Sequence, residues 1–238
     1  MKQPGIKALT FDVGGTIFDW RGAIEGEVRR VADAQGAAVD ERQFATDWRV
    51  RMFEVLEDVK SGSVERMNAD EIHRVVLDEV LEKHQSVSLS SSERDELNTL
   101  WHRMPSWDGA AQAIAALGEV YTTTVLTVLS FSIVVDCSKL NGITWDGIMS
   151  GEFMDHYKKD PEAYQQGARL LGNLPQETMM VATHTEDLMG AKRAGLKTAY
   201  VHVQDEWIKE FPTPEPIHAL ENFDVHAQTF EELVEKLT

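Results

Sequence analysis

The chain has 238 residues, with 40 Asp and Glu against 23 Lys and Arg, for a net charge of -17. Such a surface repels nucleic acid and anionic membrane, so a small-molecule partner is expected, and any anion it binds needs positive charge gathered locally. The length allows one large domain or a core with an insert. A single cysteine, Cys137, excludes an internal disulfide and suits a reducing compartment.

Residues 6–11 form an apolar run that reads as a short buried strand. It opens into Asp12-Val13-Gly14-Gly15-Thr16, placing a carboxylate where a parallel strand meets a glycine turn. Residues 20–104 are patterned almost wholly as helix. Gly36 stops the first, Asp40 and Gly62 bound the second, Asn68 with Glu71 starts the third and Ser92 the fourth. The stripe Phe44, Trp48, Met52, Val55, Val59 marks the buried face of the second helix. Trp20 and Trp107 flank this block and are expected to pack at a hinge. From residue 105 onward helices and strands alternate. Strands are expected at 120–129, 146–150, 179–182, 198–203 and 223–225, and helices at 110–117, 132–141, 161 onward, 186–194 and from 230. Asp160 is expected to cap the helix that begins with Pro161. Residues 205–222, with three prolines, read as a loop. This alternation predicts an α/β fold: a Rossmann-like parallel sheet with helices on both faces, and an inserted helical bundle. The core is then residues 1–19 and 105–238, and the cap residues 20–104. The cap sits above Asp12. No apolar run approaches a membrane span, and Met1-Lys2-Gln3-Pro4 leads toward a strand without a signal-peptide apolar region, so a cytoplasmic protein is expected, as monomer or homodimer.

Four further segments fall at strand ends or in the insert: Thr127-Val128, the stretch from Tyr157-Lys158 to Tyr164, Ala182 to Asp187, and Trp48-Arg49. The actin-like sugar kinases also use an Asp-x-Gly-Gly-Thr loop, but as a hairpin turn. Ala23, Ile24, Val28, Val31 and Ala32 recur here with helical period instead. In order and spacing, Asp12/Thr16, Thr127, Lys158 and Asp187 resemble the four motifs of the haloacid dehalogenase superfamily. Tyr157-Lys158-x-Asp160 with Tyr164, and the insert's Trp48-Arg49, resemble its L-2-haloacid dehalogenase branch.

The resemblance implies hydrolysis of short 2-haloacids without metal or other cofactor. Asp12 attacks the halogen-bearing carbon, halide departs, and water hydrolyses the resulting aspartyl ester. It implies Asp12, Lys158 and Asp187 as the catalytic set. Arg49, Thr16, Thr127, Tyr164 and His184 are the expected substrate-binding residues. Superfamily phosphatases carry a second Asp as general acid two residues after the nucleophile. Here Gly14 stands there, and a halide needs no proton to leave. Two other readings accompany this one. A Mg²⁺-dependent phosphate or phosphonate hydrolase would, in its phosphonate form, need a cap lysine such as Lys60. A non-catalytic binding protein is motivated by two departures from the pattern, Val128 for the usual Asn and Glu186 for a Trp, while His184, where many members have Asn, is a second base candidate or fills the Asn role. An acid at 186 is unfavourable beside an anion unless it turns away or finds a cation.

Overall fold

The structure, a computed structural model, describes residues 3–203, 206 and 218–238. Most of the proline-containing stretch read as a loop at 205–222 therefore lies outside the described residues. The strands are β1 (Ala8–Phe11), β2 (Thr122–Thr127), β3 (Gly147–Ser150), β4 (Thr178–Ala182), β5 (Lys197–Val201) and β6 (Val225–Ala227). They form one sheet, all parallel, in the order β3-β2-β1-β4-β5-β6. The reversal of order beside β1 opens a crevice at the C-terminal edge, where open α/β sheets place ligands. β1 is buried at every residue because it is central and covered on both faces.

Between β1 and β2 the chain makes α1 (Trp20–Gln35), α2 (Glu41–Ser61), α3 (Ala69–Lys83), α4 (Ser91–Asn98), a 3₁₀ turn at Thr99–Arg103, and α5 (Ala110–Gly118). The remaining helices are α6 (Phe131–Leu140), α7 (Pro161–Leu170), α8 (Thr185–Arg193) and α9 (Phe230–Leu237). Helices α1 to α4 pack in succession on one another. Their core is aromatic. Trp48 meets Trp101 edge-on at 5.5 Å, His73 stacks on Trp101 at 3.8 Å, and the Trp48 indole donates to the His73 carbonyl at 2.9 Å. Such aromatic pairs add ~0.5–1.5 kcal/mol each beyond their burial.

The chain leaves and re-enters the sheet side through a paired neck. Asp19 N–H donates to the Pro105 carbonyl and Trp107 N–H to that of Ile17. The Trp107 indole donates to the Gly15 carbonyl at 2.9 Å, tying the neck to the turn after β1.

Three local expectations are corrected. The fourth helix begins from Ser90, whose hydroxyl and Glu93 close a capping box, so the cap is two residues earlier than Ser92. Asp160 stands at the N-cap of α7 without a side-chain cap bond, its carboxylate lying 3.5 Å from the Lys60 ammonium. The last strand is Val225–Ala227, beyond the expected 223–225.

Candidate active site

β1 delivers Asp12 to the sheet edge level with β4, the Asp12 N–H donating to the Val181 carbonyl. Lys158 follows β3, His184 and Asp187 follow β4, and Glu206 follows β5. Arg49 comes down from α2. Together these residues line a cavity of about 340 Å³, closed on the insert's side by Met52 and Phe53.

Both Asp12 oxygens are held. Lys158 Nζ lies 2.8 Å from Oδ1. On Oδ2 the Thr16 hydroxyl donates at 2.7 Å and His184 Nδ1 stands at 3.1 Å. Burial by itself would raise the Asp12 pKa. The Lys158 ammonium and the His184 hydrogen bond outweigh it and hold the carboxyl well below the usual carboxylate range. The same ammonium bridges to Asp187 Oδ2 at 2.7 Å, and the Tyr164 hydroxyl donates to Asp187 Oδ1 at 2.5 Å. Burial, with the Asp12 charge nearby, pushes Asp187 up against the pull of Lys158. Lys158 is itself raised: burial works against its charge, but the two flanking carboxylates prevail.

On the far side of His184, Nε2 lies 2.9 Å from Glu206 Oε1. Burial disfavours the imidazolium, yet the bonds to Asp12 and Glu206 carry its pKa up to about 10. With a carboxylate facing each nitrogen, both nitrogens donate and the ring is an imidazolium. Glu206 is lowered, its burial offset by His184. Its carboxylate also accepts from the Trp20 indole at 2.8 and 3.0 Å, and Arg49 stands 3.9 Å away. Arg49 lies 4.4 Å over the Trp20 ring and 5.0 Å from that of Phe53, which fixes the guanidinium plane.

Gly15 makes room for this arrangement. It adopts φ +87°, and a methyl group there would collide with the Glu206 carboxylate.

Asp12, Arg49, Thr127, Lys158, His184 and Asp187 all reach the cavity. Thr16 and Tyr164, expected to bind substrate, do not line it. Both are fully buried behind the carboxylates, one on Asp12 and the other on Asp187, because Thr16 points under the β1 turn and Tyr164 faces the packed side of α7. Trp20 does more than hinge packing, since it faces the cavity and binds Glu206. Glu186 turns away, toward His218 at 2.5 Å and Arg193 at 3.5 Å, which removes the expected clash with an anion. Lys60, the lysine a phosphonate hydrolase would need, is not among the residues lining the cavity and pairs with Glu57 at its wall and with Asp160. Glu206 was missed by sequence reasoning. It sits in an acidic, non-periodic stretch, and nothing local marks it.

Beside Asp12 the positive charge is supplied by the Lys158 ammonium and the His184 imidazolium.

Comparison with known proteins bears on the family and the fold. The sequence model of the haloacid dehalogenase-like hydrolases matches residues 6–195. The crystal structure of the defluorinating L-2-haloacid dehalogenase Rha0230 superposes with a TM-score of 0.89 at 31% identity, over 100% of this chain and 98% of that one. The L-2-haloacid dehalogenase PA0810 gives 0.87 at 26% identity, over 98% of each chain. A shorter likeness, 37% identity over 57 residues, links the chain to the pyrophosphatase PpaX of Bacillus cereus (strain AH820). It covers 24% of this chain and 26% of that protein. With its matched span running from the first strand through the helix that carries Asp187, the chain belongs to the haloacid dehalogenase-like hydrolases.

Proposed function

We propose that the protein hydrolyses the carbon–halogen bond of short 2-haloacids through an ester on Asp12. The observation that carries this reading is an ionised, cation-held Asp12 followed two residues later by Gly14, where an ester-cleaving relative needs an acid. Charge supports the substrate class. Arg49, Lys158 and His184 are among five cationic side chains, with Arg21 and Lys159, that line the cavity of an otherwise acidic protein. The relatives named L-2-haloacid dehalogenases support it from outside the chain.

In this reading Asp12 displaces halide in line, and Lys158 holds the nucleophile ionised and oriented. Asp187 and Tyr164 position Lys158. Arg49 meets the substrate carboxylate or the departing halide, with Thr127 at the cavity wall. Helices α1 to α4, residues 20–104, act as the cap that brings Arg49 over the nucleophile. A cytoplasmic setting suits the reading, with Cys137 kept as a buried thiol. The PpaX likeness motivates a phosphoryl-transfer reading, and against its phosphate-ester form stands Gly14, because an alkoxide leaving group requires a proton.

Single turnover in ¹⁸O-water, with haloacetates and 2-halopropionates as substrates, tests the proposal. The ester route puts unlabelled oxygen from Asp12 into the first product and leaves label in Asp12. Labelled first product would overturn it. Asp12→Asn should retain the fold and lower turnover by roughly 10⁴ or more, the scale seen for lost catalytic nucleophiles. Halide release that survives EDTA separates this reading from the phosphate-ester one.

A further inference from the structure

The arrangement Asp12–His184–Glu206 leaves one question of chemistry open: which group activates the water that cleaves the ester. Asp187 is poorly placed for it, since Lys158 holds one oxygen and the Tyr164 hydroxyl the other. Lys158 is an ammonium between two carboxylates. His184 is different. It borders the cavity, touches Asp12 through Nδ1, and has a buried carboxylate, Glu206, behind Nε2. That is the acid–histidine relay of nucleophilic hydrolases, built here on the nucleophile's own oxygen. From this geometry we infer that His184 is the general base of ester hydrolysis, with Glu206 as the residue that orients it and stabilises its charge.

The physical reason is a change of partner during turnover. In the resting enzyme the ring lies between two anions, and the nearby charges are Asp12 and Glu206, Lys158 beyond Asp12, Arg49 beside Glu206, and Asp187 three residues along the chain. When the bond between Asp12 and substrate carbon forms and the carbon–halogen bond breaks, Asp12 becomes a neutral ester. One of the two charges holding the proton on His184 is gone, and that proton leaves to solvent with the halide. Neutral Nδ1 then takes a proton from water as the water oxygen bonds to Asp12 Cγ. The tetrahedral adduct collapses, and the departing product oxygen takes this proton back from His184. The proton left on the Asp12 carboxyl returns to Nδ1, restoring carboxylate and imidazolium. One water is consumed, and one halide and one proton are released.

The inference rests on the haloacid reading, and bromoacetate serves as probe. In rapid-quench experiments, wild type should release halide repeatedly with little ester present. Folded His184→Gln should release about one halide per site in a burst and then stall. Intact-mass and peptide mapping should place a carboxymethyl group on Asp12, with an ester lifetime longer by roughly 10²-fold or more, the usual contribution of a general base. Glu206→Gln should keep the burst and shift the acid limb of ester hydrolysis to lower pH, because the histidine loses its anionic partner. A purely structural Glu206 would leave that limb in place. This second readout stands if His184→Gln fails to fold. The inference is overturned if the ester on His184→Gln is as short-lived as on wild type, if folded His184→Gln loses the burst, or if the Glu206→Gln limb does not move. Absence of halide release by wild type from any haloacid would overturn the proposed function and this inference together, so the two failures are distinguishable.

Discussion

His184 carries a carboxylate on each ring nitrogen, and its pKa of about 10 ties its contribution to stability to pH. A histidine raised above its ordinary value of 6.5 stabilises the fold fully below that value and loses the contribution as pH rises through the folded one. The gap in melting temperature between wild type and His184→Gln should therefore be largest near pH 6 and shrink as pH passes about 10. A gap independent of pH would mean that the folded protein holds a neutral ring. Arg49 is the second residue whose role can be isolated. Arg49→Ala removes a buried cation next to Glu206 and above Trp20. Truncating one partner of a largely buried charge pairing costs ~2–5 kcal/mol, so kcat/KM for haloacids should fall by roughly thirtyfold or more. Arg49→Lys should recover only part, since an ammonium lacks the flat face that stacks on the indole. An unchanged kcat/KM in the Ala variant would remove Arg49 from the site.

Among the elements, α2 links fold to site most directly. Its stripe of Phe44, Trp48, Met52, Val55 and Val59 is buried, as its periodicity requires, and this sets which way the helix faces. Arg49 and Phe53 lie beside that stripe and face the cavity, while Arg51 turns to Glu79 and Glu54. Several helix ends between β1 and β2 were readable because caps are local. Asn68 and Glu71 satisfy each other's backbone N–H groups, and Asp40 accepts from Gln43 N–H. Asn68→Ala should lower stability by ~1 kcal/mol in urea denaturation and leave turnover unchanged, because Asn68 is far from Asp12 in role and touches no cavity residue. A turnover loss with it would show that the seating of α3 governs the site. The Asp160 cap was not readable, because an acid before Pro161 satisfies the sequence rule equally well when its carboxylate is drawn to Lys60.

For the whole molecule, the net charge of -17 surrounds a cavity lined by five cationic side chains, Arg21, Arg49, Lys158, Lys159 and His184. The surface field opposes an approaching haloacid at long range, and the local cations attract it only at short range. Raising a non-halide salt from about 10 mM to about 150 mM shortens the Debye length from about 30 Å to about 8 Å. It should therefore raise kcat/KM for an anionic haloacid, whereas a fall would show that the cavity cations dominate at a distance. The chain by itself determined the alternation of helix and strand, the run of helices between the first two strands, and Asp12, Lys158 and Asp187 after strand ends. Those depend on period, caps and glycine turns, which act over a few residues. Only the tertiary structure decided that Thr16 and Tyr164 stand behind the carboxylates, that Glu186 faces away, and that Glu206 meets Trp20, Arg49 and His184. The Glu206 contacts are of long sequence separation, 186 residues from Trp20, and they exist because a parallel sheet returns every strand end to one edge, while the directions of Thr16, Tyr164 and Glu186 depend on how their elements pack.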